Sequence, residues 1–185
     1  MKHTELSMQY ALTNSGALFD WSRYAVVPNV SYGLLIRGEA DLICVTKAGV
    51  FHEVEIKVSR SDLRADLRKR RAHEDPLISF VWFAVPEELE KDALELLHER
   101  FGIVAVCEQP KRPGLTWTKV VRRPKKSEHC KGKPSPDTII KLLRLGVMRM
   151  WTRGICQDNL QRQIRELYLE NRQLKDAIAE ATQAP

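Results

Sequence analysis

The sequence predicts an α/β fold, a mixed sheet flanked by helices with a C-terminal helical extension, on three observations. The runs "ADLICVT" and "VFHEVEIKV" are joined by a short turn containing Gly49, so they should pair as an antiparallel hairpin. Beyond them helical and strand-like segments alternate, and parallel strands need crossover helices that cover the faces of a sheet. After Gln157 apolar residues recur at alternating four- and three-residue steps, the spacing of a helical seam.

Taken in order, Thr4 followed by Glu5 opens a helix over residues 4–19, with Leu6, Tyr10 and Ala11 or Leu12 at helical spacing. Three strands follow, with turns expected at Pro28-Asn29, Arg37-Gly38 and Lys47-Ala48-Gly49. "SRSDLRADLRKRRAHED" reads as a helix capped by Ser61 or Asp62 and running to about His73, ahead of Pro76. "LISFVWFAV" is apolar throughout, as a strand covered on both faces should be. A helix between Pro86 and Gly102 leads into the strand "IVAVCEQ", and "TWTKVVRR" can add an edge.

"KPSPDTIIKLLRLGVMRMW" is a helix with Ser135 as cap and Pro136 in its first turn, and a second helix is expected after Gly154. In the latter, Ile164, Asn171 and Ile178 fall at a positions and Leu160, Leu167 and Leu174 at d positions, the pattern of a parallel two-stranded coiled coil in which a buried Asn fixes register. Glu170 at g and Lys175 at e can then pair between chains. The alternative, a helix folded back on its own domain, would suit Tyr168 and Leu169. The expected organisation is a core over 1–110, a basic arm over 111–133 and C-terminal helices over 134–185.

Composition narrows the function classes. With 185 residues, 43% hydrophobic and 29% charged, the chain can bury a core of ordinary size. No apolar run approaches the roughly 20 residues of a membrane span, and the N-terminus lacks the apolar stretch of a secretory signal, so a cytoplasmic protein with no membrane partner is expected. Cys44, Cys107, Cys130 and Cys156 are too scattered for a disulfide framework or a zinc module. There is no GxxxxGK[ST] segment, hence no nucleotide cofactor is expected. The net charge of +6 is concentrated, because residues 111–133 hold nine Lys or Arg against one acid, Glu128. Such a segment calls for a polyanionic partner, or is a solvated basic loop.

The candidate chemistry lies on the hairpin. Glu53, Glu55 and Lys57 alternate with Val54, Ile56 and Val58, so one face of the strand carries two carboxylates and an ammonium and the other is aliphatic. Asp41 lies at the start of the preceding strand and can point to the same side. Phosphodiester hydrolysis needs a metal to offset phosphate charge and a positioned water. Two carboxylates are what Mg²⁺ takes from a protein, and a neighbouring ammonium can orient the water.

Asp41 followed by Glu55-Ile56-Lys57, set between a leading and a following helix, resembles the PD-(D/E)XK nuclease superfamily, with its restriction-endonuclease-like fold. The likeness spans roughly residues 4–108, and "GEADLICV" and "EVEIKVSRSDLRAD" are similar to small bacterial and phage DNA-repair nucleases of the MmcB-like group. The resemblance implies Asp41, Glu55 and the Ile56 backbone carbonyl as ligands of Mg²⁺ or Mn²⁺, and Lys57 as the catalytic lysine. Glu5 on the first helix could be an extra acid, and Glu53 could serve a second metal or be a solvated strand-end residue. Ala40 stands where the family has proline.

Arg60, Arg64, Arg68 and Arg71 form a stripe on the following helix that would hold a phosphate backbone, or a solvated face tied to Asp62 and Asp66. Lys119, Arg122, Arg123, Lys125 and Lys126 of the arm are further candidates for DNA contact, with Trp117 placed to stack on an unpaired base. His73 could reach the site from the helix end. The reading is a metal-dependent DNA endonuclease of repair, recombination or phage DNA processing, dimeric through residues 157–181. Its rivals are a catalytically inactive dimeric nucleic-acid-binding protein of the same fold and an assembly subunit that recruits partners through its coiled coil.

Overall fold

The computed structural model describes residues 3–30, 39–67, 73–109 and 115–183, and divides the chain into two compact units, Met1–Gly146 and Val147–Pro185. Thr4 caps α1 (Glu5–Thr13), its hydroxyl accepting from the Ser7 N–H while the Ser7 hydroxyl accepts from the Thr4 N–H. The helix stops six residues short of the expectation. Asn14 leaves the helical conformation and Gly16 adopts φ 81°, a turn that the apolar spacing alone did not reveal. Its buried face is the expected one only in part: Ala11 and Leu12 are inside together with Met8, whereas Leu6 and Tyr10 are 53% and 60% exposed.

Three strands follow, β1 (Tyr24–Val30), β2 (Ala40–Thr46) and β3 (Phe51–Ile56). Pro28 and Asn29 lie within β1, not in a turn; an edge strand tolerates a missing ladder donor, and Asn29 accepts the left-handed φ of 53°. The turn between β2 and β3 is where the sequence puts it, with Gly49 at φ 75°. Then come α2 (Arg60–Leu67), β4 (Ile78–Pro86), a 3₁₀ turn (Glu87–Leu89), α3 (Glu90–Leu96), β5 (Gly102–Glu108), β6 (Thr116–Arg122) and α4 (Pro136–Gln183). The last is one helical element, without the break expected at Gly154; a single helical Gly costs only about 1 kcal/mol relative to Ala, too little to end a long helix.

The six strands form one mixed sheet in sequence order, antiparallel at both edges and parallel across β3, β4 and β5, where α2 and α3 are the crossovers. One face packs on α1 through Met8, Leu12, Leu42, Val54, Ile56 and Trp82. The other packs on α2, α3 and the start of α4 through Ile43, Leu63, Phe83, Ala93, Phe101 and Leu142. The basic arm is therefore no appendage outside a core that ends at 110. Its β6 completes the sheet, and the first unit continues to Gly146. No described helix is long and apolar enough to cross a membrane.

Candidate metal centre

The site sits on the α2–α3 face of β3. Antiparallel register places Leu42 opposite Val54 and Ile43 opposite Glu53, which brings Asp41 level with Glu55. On β2, Asp41 shares its face with Ile43 and Val45, both in the core under α2 and α3, so its carboxylate and that of Glu55 lie on one side. Asp41 Oδ2 accepts the Ile56 N–H at 2.6 Å, and the Lys57 N–H donates to Ala84 O at 2.9 Å, so backbone bonds fix both ends of the motif.

Glu53, Glu55 and Lys57 are all buried, at 4%, 4% and 5% exposed, which removes the solvated strand-end reading of Glu53. Lys57 Nζ donates to Glu55 Oε2 at 2.8 Å and pairs with Asp66 Oδ1 at 3.2 Å. His73 bridges two acids, with Nδ1 2.6 Å from Glu53 Oε1 and Nε2 2.9 Å from Asp66 Oδ2. Glu55, Lys57, Asp66, His73 and Glu53 are thus linked in a chain of charge-assisted bonds beneath α2.

The electrostatics follow from this crowding. Burial raises the Glu55 carboxyl to about 7, with Lys57 opposing and Asp41 and Glu53 adding to the rise. For His73, burial disfavours the imidazolium, but the bonds to Asp66 and Glu53 prevail and raise it to about 10, so both ring nitrogens carry protons. Burial likewise opposes the Lys57 ammonium and is outweighed by Glu55 and Asp66, leaving its pKa above the ordinary lysine range. Burial opposes the Asp66 carboxylate too, but the bonds to His73 and Lys57 hold its pKa well below the usual range. Around Glu55, the acids Asp41, Glu53 and Asp66 outnumber the cations Lys57 and His73.

One atom is left over. Glu55 Oε1 is buried with no hydrogen-bond partner among the described residues, a costly state unless something else binds there. A surplus of carboxylates around an unpartnered oxygen fits a divalent cation.

Glu5 faces this end of the sheet. With Asn29, Glu39 and Asp41 it lines a cavity of about 250 Å³, and the buried Gln9 amide reaches Glu5 Oε1, Asn29 Oδ1 and the Asp41 carbonyl at 3.1, 2.7 and 3.3 Å. A second cavity, of about 390 Å³, has His73, Val81 and Phe101 among its walls and is lined by charges of both signs, Arg100, Lys125 and Lys126 with Glu99 and Glu128. Lys125, Lys126 and His73 therefore border one space.

Other expected contacts are used differently. Arg60 pairs with Asp92 of α3 at 3.1 Å, Arg64 is exposed, and Arg68 and Arg71 lie outside the described residues. Asp66 is not a surface partner of that stripe. It stands three residues after the buried Leu63, on the inward face of α2, and that i, i+3 spacing was the signal that could have found it. Arg122 donates to the carbonyls of Phe101, Leu97 and His98 at 2.9, 3.1 and 2.9 Å, which ties β6 to the loop that follows α3. Lys119 pairs with Glu90 and Lys125 with Glu99, while Arg123 and Lys126 are exposed; Trp117 is 45% exposed on the edge strand.

No family model and no curated protein matches the chain. A solved structure does: SPO1766, a protein of unknown function from Silicibacter pomeroyi, is similar with a TM-score of 0.50 and 18% identity, over 76% of this chain and 84% of that one. At that identity the likeness establishes the fold alone.

Proposed function

We propose that the chain is a metal-dependent DNA nuclease that hydrolyses phosphodiester bonds through Asp41, Glu55 and Lys57. The observation that carries this reading is the buried, unpartnered Glu55 Oε1, on the same sheet face as Asp41 and beside a lysine held by two carboxylates. Asp41 and Glu55, with the Ile56 carbonyl, would hold the ion. When bound, Mg²⁺ or Mn²⁺ neutralises phosphate charge and lowers the pKa of a bound water. Lys57 holds its ammonium against Glu55, where it can orient an attacking water or meet developing negative charge. Asp66 positions that ammonium from the opposite side. The bonds made by His73 fix Asp66 in turn.

Exposed Arg64, Arg123 and Lys126 supply backbone attraction without sequence information. A DNA partner, a cytoplasmic setting and a role in repair, recombination or phage DNA processing belong to the same reading. Dimerisation through residues 157–181 is supported by Leu160, Ile164 and Leu167, which are 57%, 55% and 58% exposed at heptad spacing. The side chains of Leu174 and Ile178 lie outside the described residues.

The test is cleavage of labelled single-stranded, duplex and four-way-junction DNA with Mg²⁺, Mn²⁺ or EDTA. Metal-dependent cutting that disappears in both Lys57→Ala and Asp41→Ala is the expected result. Binding without cutting, unchanged in both variants, would favour the inactive binding module instead. A monomer in sedimentation at micromolar concentration overturns the dimer.

A further inference from the structure

Glu53, Glu55 and His73 do more than buttress the lysine. Their ligand atoms, a carboxylate oxygen from each glutamate and a ring nitrogen of the histidine, all lie within 4.8 Å of one another, close enough to share one ion. We infer that these three residues form a second cation position beside the Asp41–Glu55 pair, one that contains nitrogen, favours a borderline transition ion such as Co²⁺ or Zn²⁺ over Mg²⁺, and also admits Mn²⁺. Glu55 would be common to both positions. The inference rests on the nuclease reading only for that shared ligand.

Four observations carry it. First, the unpartnered Glu55 Oε1 lies in a residue only 4% exposed, so the cluster contains a buried acceptor without a protein donor among the described residues. Second, the Nε2 N–H of His73 donates to Asp66 Oδ2 at 2.9 Å, and Asp66 is itself held by Lys57. A carboxylate behind one ring nitrogen is the arrangement that orients a metal-binding imidazole and leaves its other nitrogen, here Nδ1, for the ion. Third, His73 sits at φ 68°, a left-handed backbone that a non-glycine residue adopts at some cost, and its ring meets Phe83 and Phe101 edge-on at 5.4 and 5.7 Å. Backbone strain at one histidine, with its ring clamped by two aromatics, fixes where the nitrogen points. Fourth, His73 also borders the cavity of about 390 Å³, so one ligand of the cluster stands next to open space.

The donor set decides the class of ion. Mg²⁺ takes oxygen ligands in a strict octahedron and keeps its waters, whereas imidazole suits the later divalent ions. The proton now held between Nδ1 and Glu53 Oε1 is what the ion would displace. In the competing arrangement the histidine is only a permanent bridge between Glu53 and Asp66, and no metal reaches its ring.

Pulsed electron paramagnetic resonance of the full chain loaded with Mn²⁺ alone separates the two. The expected spectrum shows ¹⁴N hyperfine coupling to the ion, abolished in His73→Gln, with Mn²⁺ affinity reduced at least tenfold in that variant and in Glu53→Gln. Asp66→Asn should weaken Mn²⁺ by about 10–100-fold. Replacing His3, His98 and His129 together by Gln, and separately His52 by Phe, should leave the coupling intact, which covers the case in which His73→Gln does not fold. Absence of coupling in the unaltered protein, or its loss in either of these two variants, overturns the inference. DNA cleavage, assayed separately, keeps the two proposals apart: coupling without cleavage sinks the nuclease and leaves the nitrogen site, and cleavage without coupling does the reverse.

Discussion

Two histidines on opposite faces of one sheet show what the fold does with the same side chain. His52 points toward α1, where the Trp82 Nε1–H donates to its Nδ1 at 3.2 Å, Phe80 stacks on it at 5.0 Å, and Phe19 and Tyr24 meet it edge-on. Burial among these rings lowers its pKa to about 4, so it is a neutral aromatic of the core. His73, under α2 and α3, lies between two carboxylates and is a cation with a pKa of about 10. β3 runs between the two environments, with His52, Val54 and Ile56 on one side and Glu53 and Glu55 on the other. Both sides are largely buried, so the alternation of charge along this strand does not separate water from core. It separates a dry core from a site.

The comparison is broken most severely by placing charge on the wrong face. Val54→Asp buries a carboxylate in an entirely apolar cluster and should cost more than about 4 kcal/mol, enough to leave little folded protein in a urea titration. Glu55→Gln, one residue away, should change stability by less than about 1 kcal/mol, since it relieves repulsion from Asp41 and Glu53 while losing the bond to Lys57. Equal losses in both would mean that the two faces do not differ. Next in size is Lys57→Met, which leaves Glu55 and Asp66 without their shared cation; about 3–5 kcal/mol should be lost, and adding Asp66→Asn should recover part of it.

How much of this could be read beforehand depends on whether a feature is local. The hairpin was legible because Gly49 fixes the turn and strand periodicity then fixes the register, so Asp41 and Glu55 had to share a side. The crossover helices were legible from the apolar β4, which only a doubly covered parallel strand explains. The facing of α1 was not, because Leu6 and Tyr10 make as good a helical stripe as Met8 and Leu12, and only the position of Trp82 and Phe19 beneath the helix decides between them. Asp66 was hidden for a related reason, and the expectation that His73 could reach the site did not reveal what it meets there. The two are seven residues apart and meet only because the backbone turns left-handed at His73 and Lys57 lies under α2. Arg122 reads as one more cation of a basic arm until β6 lays it against the loop that follows α3.

A cation should strengthen one face and leave the other unmoved. At a Mg²⁺ or Mn²⁺ concentration about a hundred times its dissociation constant, binding adds about 2.7 kcal/mol, visible as a rise in Tm. That rise should vanish in Glu55→Gln and persist in His52→Phe. A rise that survives Glu55→Gln would place the ion elsewhere.

The smallest expected effect sharpens the contrast between the two imidazoles. His52 titrates near 6.5 in the unfolded chain and near 4 in the folded one, so between those values the unfolded state binds more protons and stability rises with pH. Its contribution is complete above about pH 6.5 and is lost as pH falls toward 4, a decline of about 2 kcal/mol between pH 7.5 and 5. His52→Phe keeps a ring against Phe80 and Phe19 but has no proton to gain, so its stability curve should be flatter than that of the unaltered protein by that amount over this interval. The charged groups of the opposite face contribute equally to both curves, and the difference between them isolates the dry side. If the curves stay parallel, His52 is not held neutral, and the aromatic cluster is wetter than its packing indicates.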